Sequence, residues 1–315
     1  MKQRFAFTMV ELIMVIVVFG IVASIGAEII TSLYNNYLRT RAINQLQGQT
    51  EIVLEQIAKR LQYRIKDSVR VTTDDGATWR ALPDAIQTVA GDHTIVEWIG
   101  ISNESFLGDW NGTANVPGWS GLIDMEHANT REGTKTLETP GSHLDFARTI
   151  IQALTDNVVD MNNENGNLPA LIFKGAKPLF DVNKYYSQGT NNYTVRIAND
   201  TNTSFHIPTD DNLTDFDQDG IGNGDLFEQY YLSHSAYAIM PDSPSATDFT
   251  LLLQYNHQPW QGDTYPNAPQ TILAEHVSTF RIRQEGNVVR IKLCIHDNNQ
   301  SGDFDFSACK EKVIY

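Results

Sequence analysis

From Phe7 to Ala27 the chain is apolar at almost every position, and the only charge inside that run is Glu11. Sixteen consecutive residues, Leu12 to Ala27, carry no charge. With residues 5–10 they make a stretch of about the 20 residues that a helix needs to cross a bilayer. Beyond Glu28 the pattern changes rather than stops. Ile43, Leu46, Val53, Ile57, Leu61 and Ile65 recur at spacings of three, four or seven, while Arg41, Gln45, Gln49, Glu55, Lys59 and Gln62 fall largely elsewhere. No proline interrupts this stretch, and Gly48 weakens it without ending it. The spacing predicts one helix from about Phe7 to about Lys66, on the order of 90 Å long. Its first half (7–27) is apolar all round, and its second half (28–66) carries one apolar stripe that needs a body to lie on.

After Val71 the helical period fades and short β-branched or aromatic runs bounded by turn residues take over. Strands are predicted in "HTIVEWIG" (93–100), "ALIFKGA" (170–176), "YTVRIAN" (193–199), "AYAIMP" (236–241) and "DFTLLLQY" (248–255). "VSTFRIRQ" and "VVRIKLCIH" alternate on either side of "EGN", which predicts a hairpin turning at Gly286 and Asn287. "HLDFARTIIQALTDNV" (143–158) reads as a lone helix. The expected fold is α+β: a long helix packed on an antiparallel sheet in the body 67–315, with a large loop-rich insertion at about 101–232.

Charge divides the chain at the same place. Residues 1–70 carry a net +4 and residues 71–315 a net −19. A body this acidic repels phosphate backbones, so direct nucleic-acid binding is not expected and divalent cations are favoured. Lys2 and Arg4 precede the apolar run, so the positive-inside rule places the N-terminus in the cytoplasm and the body outside. A cleaved secretory signal ending near "SIGAEII" is the competing reading of the same run. An external body would let the two cysteines, Cys294 and Cys309, close a disulfide worth roughly 3 kcal/mol in the chain-entropy account. A cytoplasmic body would leave them as free thiols.

The leader "MKQRFA", the motif "AFTMVE" and the apolar run together resemble the type IV pilin and pseudopilin family. That resemblance covers about residues 1–66. It implies a six-residue prepilin leader (1–6), cleavage between Ala6 and Phe7, and N-methylation of Phe7 by a prepilin peptidase. It also implies that Glu11 neutralises the new amino terminus, usually that of a neighbouring subunit, as an assembly contact. Ala6 stands where glycine is usual, and Glu28 stands where major pilins often carry a proline. That second departure, with the large body, points to a minor subunit. The amphipathic "VLEQIAKRLQYRIKDSV" and the late hairpin look like the J-type minor pseudopilin or the W-type minor pilin. The partners implied are other pilin or pseudopilin subunits, the peptidase, an inner-membrane assembly platform and membrane lipid.

Two acidic stretches suggest metal. In "DFDQDGIGNGD" (215–225), Asp215, Asp217 and Asp219 hold positions 1, 3 and 5 of a calcium loop. Gly220 allows the sharp turn, the Ile221 carbonyl takes position 7 and Asn223 position 9. Leu226 stands at position 12 where an acid is usual, so Asp225 or Glu228 would have to substitute. A solvated acidic turn is the plain alternative, but repulsion among the crowded carboxylates favours a bound Ca2+. A fainter echo in "DNNQSGDFD" places Asp297, Asn299, Ser301, Asp303 and Asp305 in similar register between the two cysteines, as a second calcium loop or a polar hairpin tip.

The remaining patterns carry less. Asn111, Asn202 and Asn212 each sit in an Asp-x-Asn-x-Ser/Thr frame that resembles a bacterial glycosylation acceptor, and an Asp- and Asn-rich chain also produces that frame by chance. The eight histidines are scattered without HExxH or paired ligand spacing, and no GxSxG or Walker loop occurs, so catalysis is not expected. Ser142, His143 and Asp145 are neighbours in sequence, which is not triad geometry. Trp110 and Trp119 read as loop anchors, with ligand recognition as the lesser reading. The expectation is therefore a minor pilin or pseudopilin that waits in the bacterial inner membrane with its body in the periplasm. It would then assemble into, or prime, the tip of a type IV pilus or type II secretion pseudopilus. The rival is a static membrane-anchored, calcium-dependent binding protein that never polymerises.

Overall fold

The computed structural model describes residues 8–72, 76, 78–85, 95–175, 180–187, 193–209, 226–243, 246–297 and 306–315. Helix α1 (Met9–Gln62) is one continuous rod of 54 residues, about 80 Å long at 1.5 Å per residue. It begins on Thr8 as N-cap and ends four residues before Lys66, the boundary its periodicity predicts. The ending has a local cause. Arg64 pairs with Gly100, the Ile65 N–H donates to the Ile99 carbonyl at 2.9 Å, and these bonds draw the backbone out of the helix into a sheet. The Arg64 guanidinium donates to the Leu61 carbonyl at 2.6 Å, beside the Arg64 backbone N–H at 3.3 Å, at the end where helix carbonyls run short of intrahelical partners.

Three strands follow: β1 (Arg70–Thr72), β2 (Arg80–Ala81) and β3 (Ile95–Ile99). Next come helix α2 (Asn103–Leu107), strands β4 (Asp109–Trp110), β5 (Asn115–Val116) and β6 (Thr136–Glu138), and helix α3 (Leu144–Leu154). After α3 lie β7 (Ala170–Phe173), β8 (Val195–Arg196), β9 (Ala198–Thr201), β10 (Ser204–His206) and β11 (Tyr230–Ser233). The chain closes with β12 (Ala236–Pro241), β13 (Phe249–His257), β14 (Gln270–Glu285), β15 (Val288–His296) and β16 (Ser307–Ile314).

Eight of these strands form one antiparallel sheet in the order β16-β15-β14-β13-β12-β3-β1-β2. The architecture is α+β and pilin-like: the long helix lies on this sheet, against β14, β15 and β16. Its apolar stripe supplies Leu46, Val53, Leu54, Ile57, Ala58 and Leu61 to the main core, where they meet Val71, Trp98, Phe249, Val277, Phe280 and Ile291. Thr50 lies on the same buried stripe, and its hydroxyl is satisfied by the Leu46 carbonyl at 2.7 Å. Two ion pairs fasten the stripe's edge to the last strand, Lys310 to Glu51 at 2.6 Å and Lys312 to Glu55.

The insertion leaves the sheet after Ile99 and returns at Ala236, and those two residues are register partners. The sheet therefore closes across the insertion as though the intervening residues were a single turn. Inside the insertion, β6, β10 and β9 make one small sheet, β11, β7 and β8 a second, and β4 with β5 a third. Helix α3 buries Leu144, Ala147 and Ile151, one face at spacings of three and four, into a core shared with Trp119, Phe205 and Tyr230. A third apolar cluster, including Ile65, Ile99, Tyr185 and Trp260, joins the insertion to the main sheet.

Candidate functional site

Helix α1 does two different jobs along its length. Between Met9 and Arg41 none of its residues is buried, and its apolar side chains stand open: Met9 is 82 % exposed, Phe19 72 % and Ile30 69 %. Among the described residues it is the one helix long and apolar enough to cross a membrane.

Glu11 is fixed by a reciprocal cap at the start of this helix. Its Oε2 accepts from the Thr8 backbone N–H at 3.0 Å and from the Thr8 hydroxyl at 2.9 Å, while the Glu11 N–H donates to Thr8 Oγ1 at 3.4 Å. A helix start leaves four donors without intrahelical partners, and this pair satisfies two of them. The signal is present in "TMVE" as a Thr-x-x-Glu box. Ala6 and Phe7, the predicted cleavage pair, lie outside the described residues.

The first acidic loop, with Asp215, Asp217, Asp219, Ile221, Asn223 and Asp225, also lies outside the described residues, as does Asn212. Its exit is described. Leu226 is fully buried in the insertion's core, so position 12 offers no oxygen from its side chain and serves as an anchor. Glu228 is exposed, and its carbonyl is tied to the Ile123 N–H at 2.7 Å. Of the second loop, Asn299, Ser301, Asp303 and Asp305 lie outside the described residues. Asp297 is described, and its N–H donates to the Phe306 carbonyl at 2.8 Å, which closes the loop's base. The base is closed covalently as well. Cys294 and Cys309 face each other across β15 and β16 and form a disulfide with Cα atoms 4.0 Å apart.

Asn111 accepts from the N–H groups of Thr113 and Ala114, an Asx turn on the surface. Asn202 Oδ1 accepts from the Asp145 N–H at 3.0 Å and so caps α3 from outside the helix. Trp119 is buried and donates its indole N–H to Ser105 Oγ at 3.0 Å, whereas Trp110 is 57 % exposed. Ser142 is buried and hydrogen-bonded to Thr139 and to the Ser120 N–H, which places its hydroxyl in the packing of that turn.

Two arrangements were hidden in the sequence. Glu97 sits mid-strand in β3, 1 % exposed, with Arg70 donating through Nε at 2.8 Å and Nη2 at 2.6 Å. His257 Nε2 meets its other oxygen at 2.9 Å. The Arg70 guanidinium is itself sandwiched between the rings of Trp79 (4.1 Å) and Tyr186 (3.6 Å), a stacked and charge-paired use that suits arginine. The second arrangement joins Asp248, just before β13, with His276 on β14 and His296 on β15. No sequence spacing announces either cluster, because sheet register alone brings the partners together.

No family model, curated protein or solved structure matches the chain.

Proposed function

We propose that this chain is a minor pilin or pseudopilin subunit of the J-type or W-type kind. In this reading a prepilin peptidase cleaves it between Ala6 and Phe7 and methylates Phe7. It then waits in the inner membrane, body outward, until an assembly platform moves it into, or uses it to prime, the tip of a pilus or pseudopilus. The observation that carries the reading is the division of α1. One half is locked into a soluble sheet, and the other leaves that sheet with every apolar side chain uncovered. Such a surface needs lipid before assembly and other apolar helices after it, and a bundle of like subunits provides the second cover.

Glu11 would then act at both stages. In the single subunit its carboxylate caps its own helix through Thr8. In a filament it would pair with the amino terminus of a neighbouring Phe7, and a misregistered neighbour would leave a buried charge alone. The acidic loop would hold Ca2+ through Asp215, Asp217, Asp219, Asn223, Asp225 and the Ile221 carbonyl, supplying hard-cation cross-linking of a negatively charged segment. Nothing in this role asks the protein for a covalent step.

Glu11→Val should leave membrane insertion and leader cleavage intact and lower the amount of the chain in sheared filaments by about tenfold or more, because the partner charge loses its mate. Immunoblotting of sheared filaments against membrane fractions reads the ratio directly. Wild-type levels of the variant in filaments would refute the assembly role of this carboxylate.

A further inference from the structure

We infer that Asp248, His276 and His296 form a binding site for a divalent transition cation, zinc being the best match, on the outer face of the main sheet. Asp248 immediately precedes Phe249, His276 immediately precedes Val277, and His296 immediately follows Ile295. Phe249, Val277 and Ile295 are register partners in one cross-strand row of the core. Successive side chains of a strand point to opposite faces, so their three neighbours are presented away from the core that α1 fills.

The donor set and its spacing fit zinc. One oxygen of Asp248, Oδ2, lies 3.2 Å from His276 Nδ1 and 3.4 Å from His296 Nε2, and all three donor atoms fall within 4.8 Å of one another. Ligands about 2.0–2.1 Å from a tetrahedral zinc stand about 3.3 Å apart, which is the spacing of both His–Asp pairs. Two borderline imidazoles with one hard carboxylate oxygen are a donor set that zinc accepts, and three protein ligands leave the fourth position to water. His296 is committed through one nitrogen. Its Nδ1 is enclosed without a partner among the described residues, and its Nε2 faces Asp248.

Backbone shape supports the same conclusion. His276 adopts φ +56° in the middle of β14, a conformation that non-glycine residues in strands rarely hold. Core-facing positions of β14 run Ala274, Val277, Phe280, Ile282, so two steps of three replace the regular step of two. Both irregularities appear as register shifts, against β13 on one side and β15 on the other. Bulges of this sort re-aim a side chain, and backbone strain concentrates where a site needs it. Here the bulge brings the His276 ring beside that of His296, with centroids 5.8 Å apart. A bound metal would tie β13, β14 and β15 together two residues from the disulfide at Cys294.

The test uses the purified full chain, stripped with a chelator, equilibrated with zinc chloride and then dialysed into metal-free buffer. Metal analysis should find one zinc per chain, and substitution with Co2+ should give a visible d–d band of imidazole ligation. His276→Asn keeps a residue that tolerates positive φ while removing the imidazole, and it should lose both signals. His296→Gln and the exposed Asp248→Asn should lose them too, whereas Asp217→Ala, in the separate acidic loop, should keep them. A wild-type chain that retains no zinc and shows no cobalt band overturns the inference. So does retention of the full signal by both histidine variants.

Discussion

His234 shows how one residue converts burial into an acid response. It is almost fully enclosed at the start of the insertion's return, with Nδ1 2.8 Å from Ser102 Oγ, and burial pushes its pKa down to about 4. An unfolded histidine titrates near 6.5. Between those values the unfolded chain binds the proton and the folded chain does not, so stability is complete above about pH 6.5 and falls as pH drops toward 4. By pH 5 that linkage amounts to about 2 kcal/mol. Between about pH 7.5 and pH 5, wild type should therefore lose about 2 kcal/mol more than His234→Gln in paired denaturant melts of the full chain. Equal losses would show that His234 is not the proton acceptor. Little of this was legible in sequence. Glu97 lies inside a β-branched and aromatic run that reads as a strand, and its partners Arg70 and His257 are fixed by pairing of β3 with β1 and of β12, the other neighbour of β3, with β13, which ends at His257. The Asp248, His276 and His296 cluster was hidden for the same reason, compounded by bulges that no alternation pattern forecasts.

Elements with local causes were far more legible. The 3.6-residue period set α1, and strict alternation about Gly286 set the β14–β15 hairpin, whose two-residue turn has Gly286 at φ +60°. The disulfide follows from the same hairpin logic extended to β16, because Cys294 and Cys309 are register partners. The insertion's closure was not legible, since Ile99 and Ala236 meet only after a long excursion that builds its own core. A body cut at residue 71 would lack Leu46, Val53, Leu54, Ile57, Ala58 and Leu61, all part of the main core, and would expose the sheet they cover. Calcium binding at Asp215–Asp225 is therefore best tested on the full chain in detergent. Chelation should lower its Tm and Asp217→Ala should abolish the difference, as mass action requires of a ligand held only by the folded state. An identical Tm with and without chelator in wild type would remove the calcium reading of that loop.

At the scale of the molecule, the protein is an acidic body on an apolar rod. The net negative charge lies in residues 71–315, and the stretch before it is net positive, a division that in the proposed role would hold the basic end on the cytoplasmic side and keep phosphate backbones away from the body. The same helix serves both regions. Its outer half is stabilised by whatever apolar surroundings it meets, and its inner half is stabilised by the sheet, through Lys310 and Lys312 as well as the core. The Lys310 ammonium beside Glu51 holds that carboxyl below the usual range, in keeping with a formed pair at the seam. Movement from membrane to filament would require no refolding of the body, only an exchange of lipid for neighbouring helices around residues 9–41.

The most direct measurement is the mature N-terminus of the chain co-expressed with its prepilin peptidase, read by intact mass and N-terminal fragmentation. The account predicts a chain that begins at an N-methylated Phe7. A chain that still begins at Met1 would contradict it and leave a fixed membrane anchor in its place.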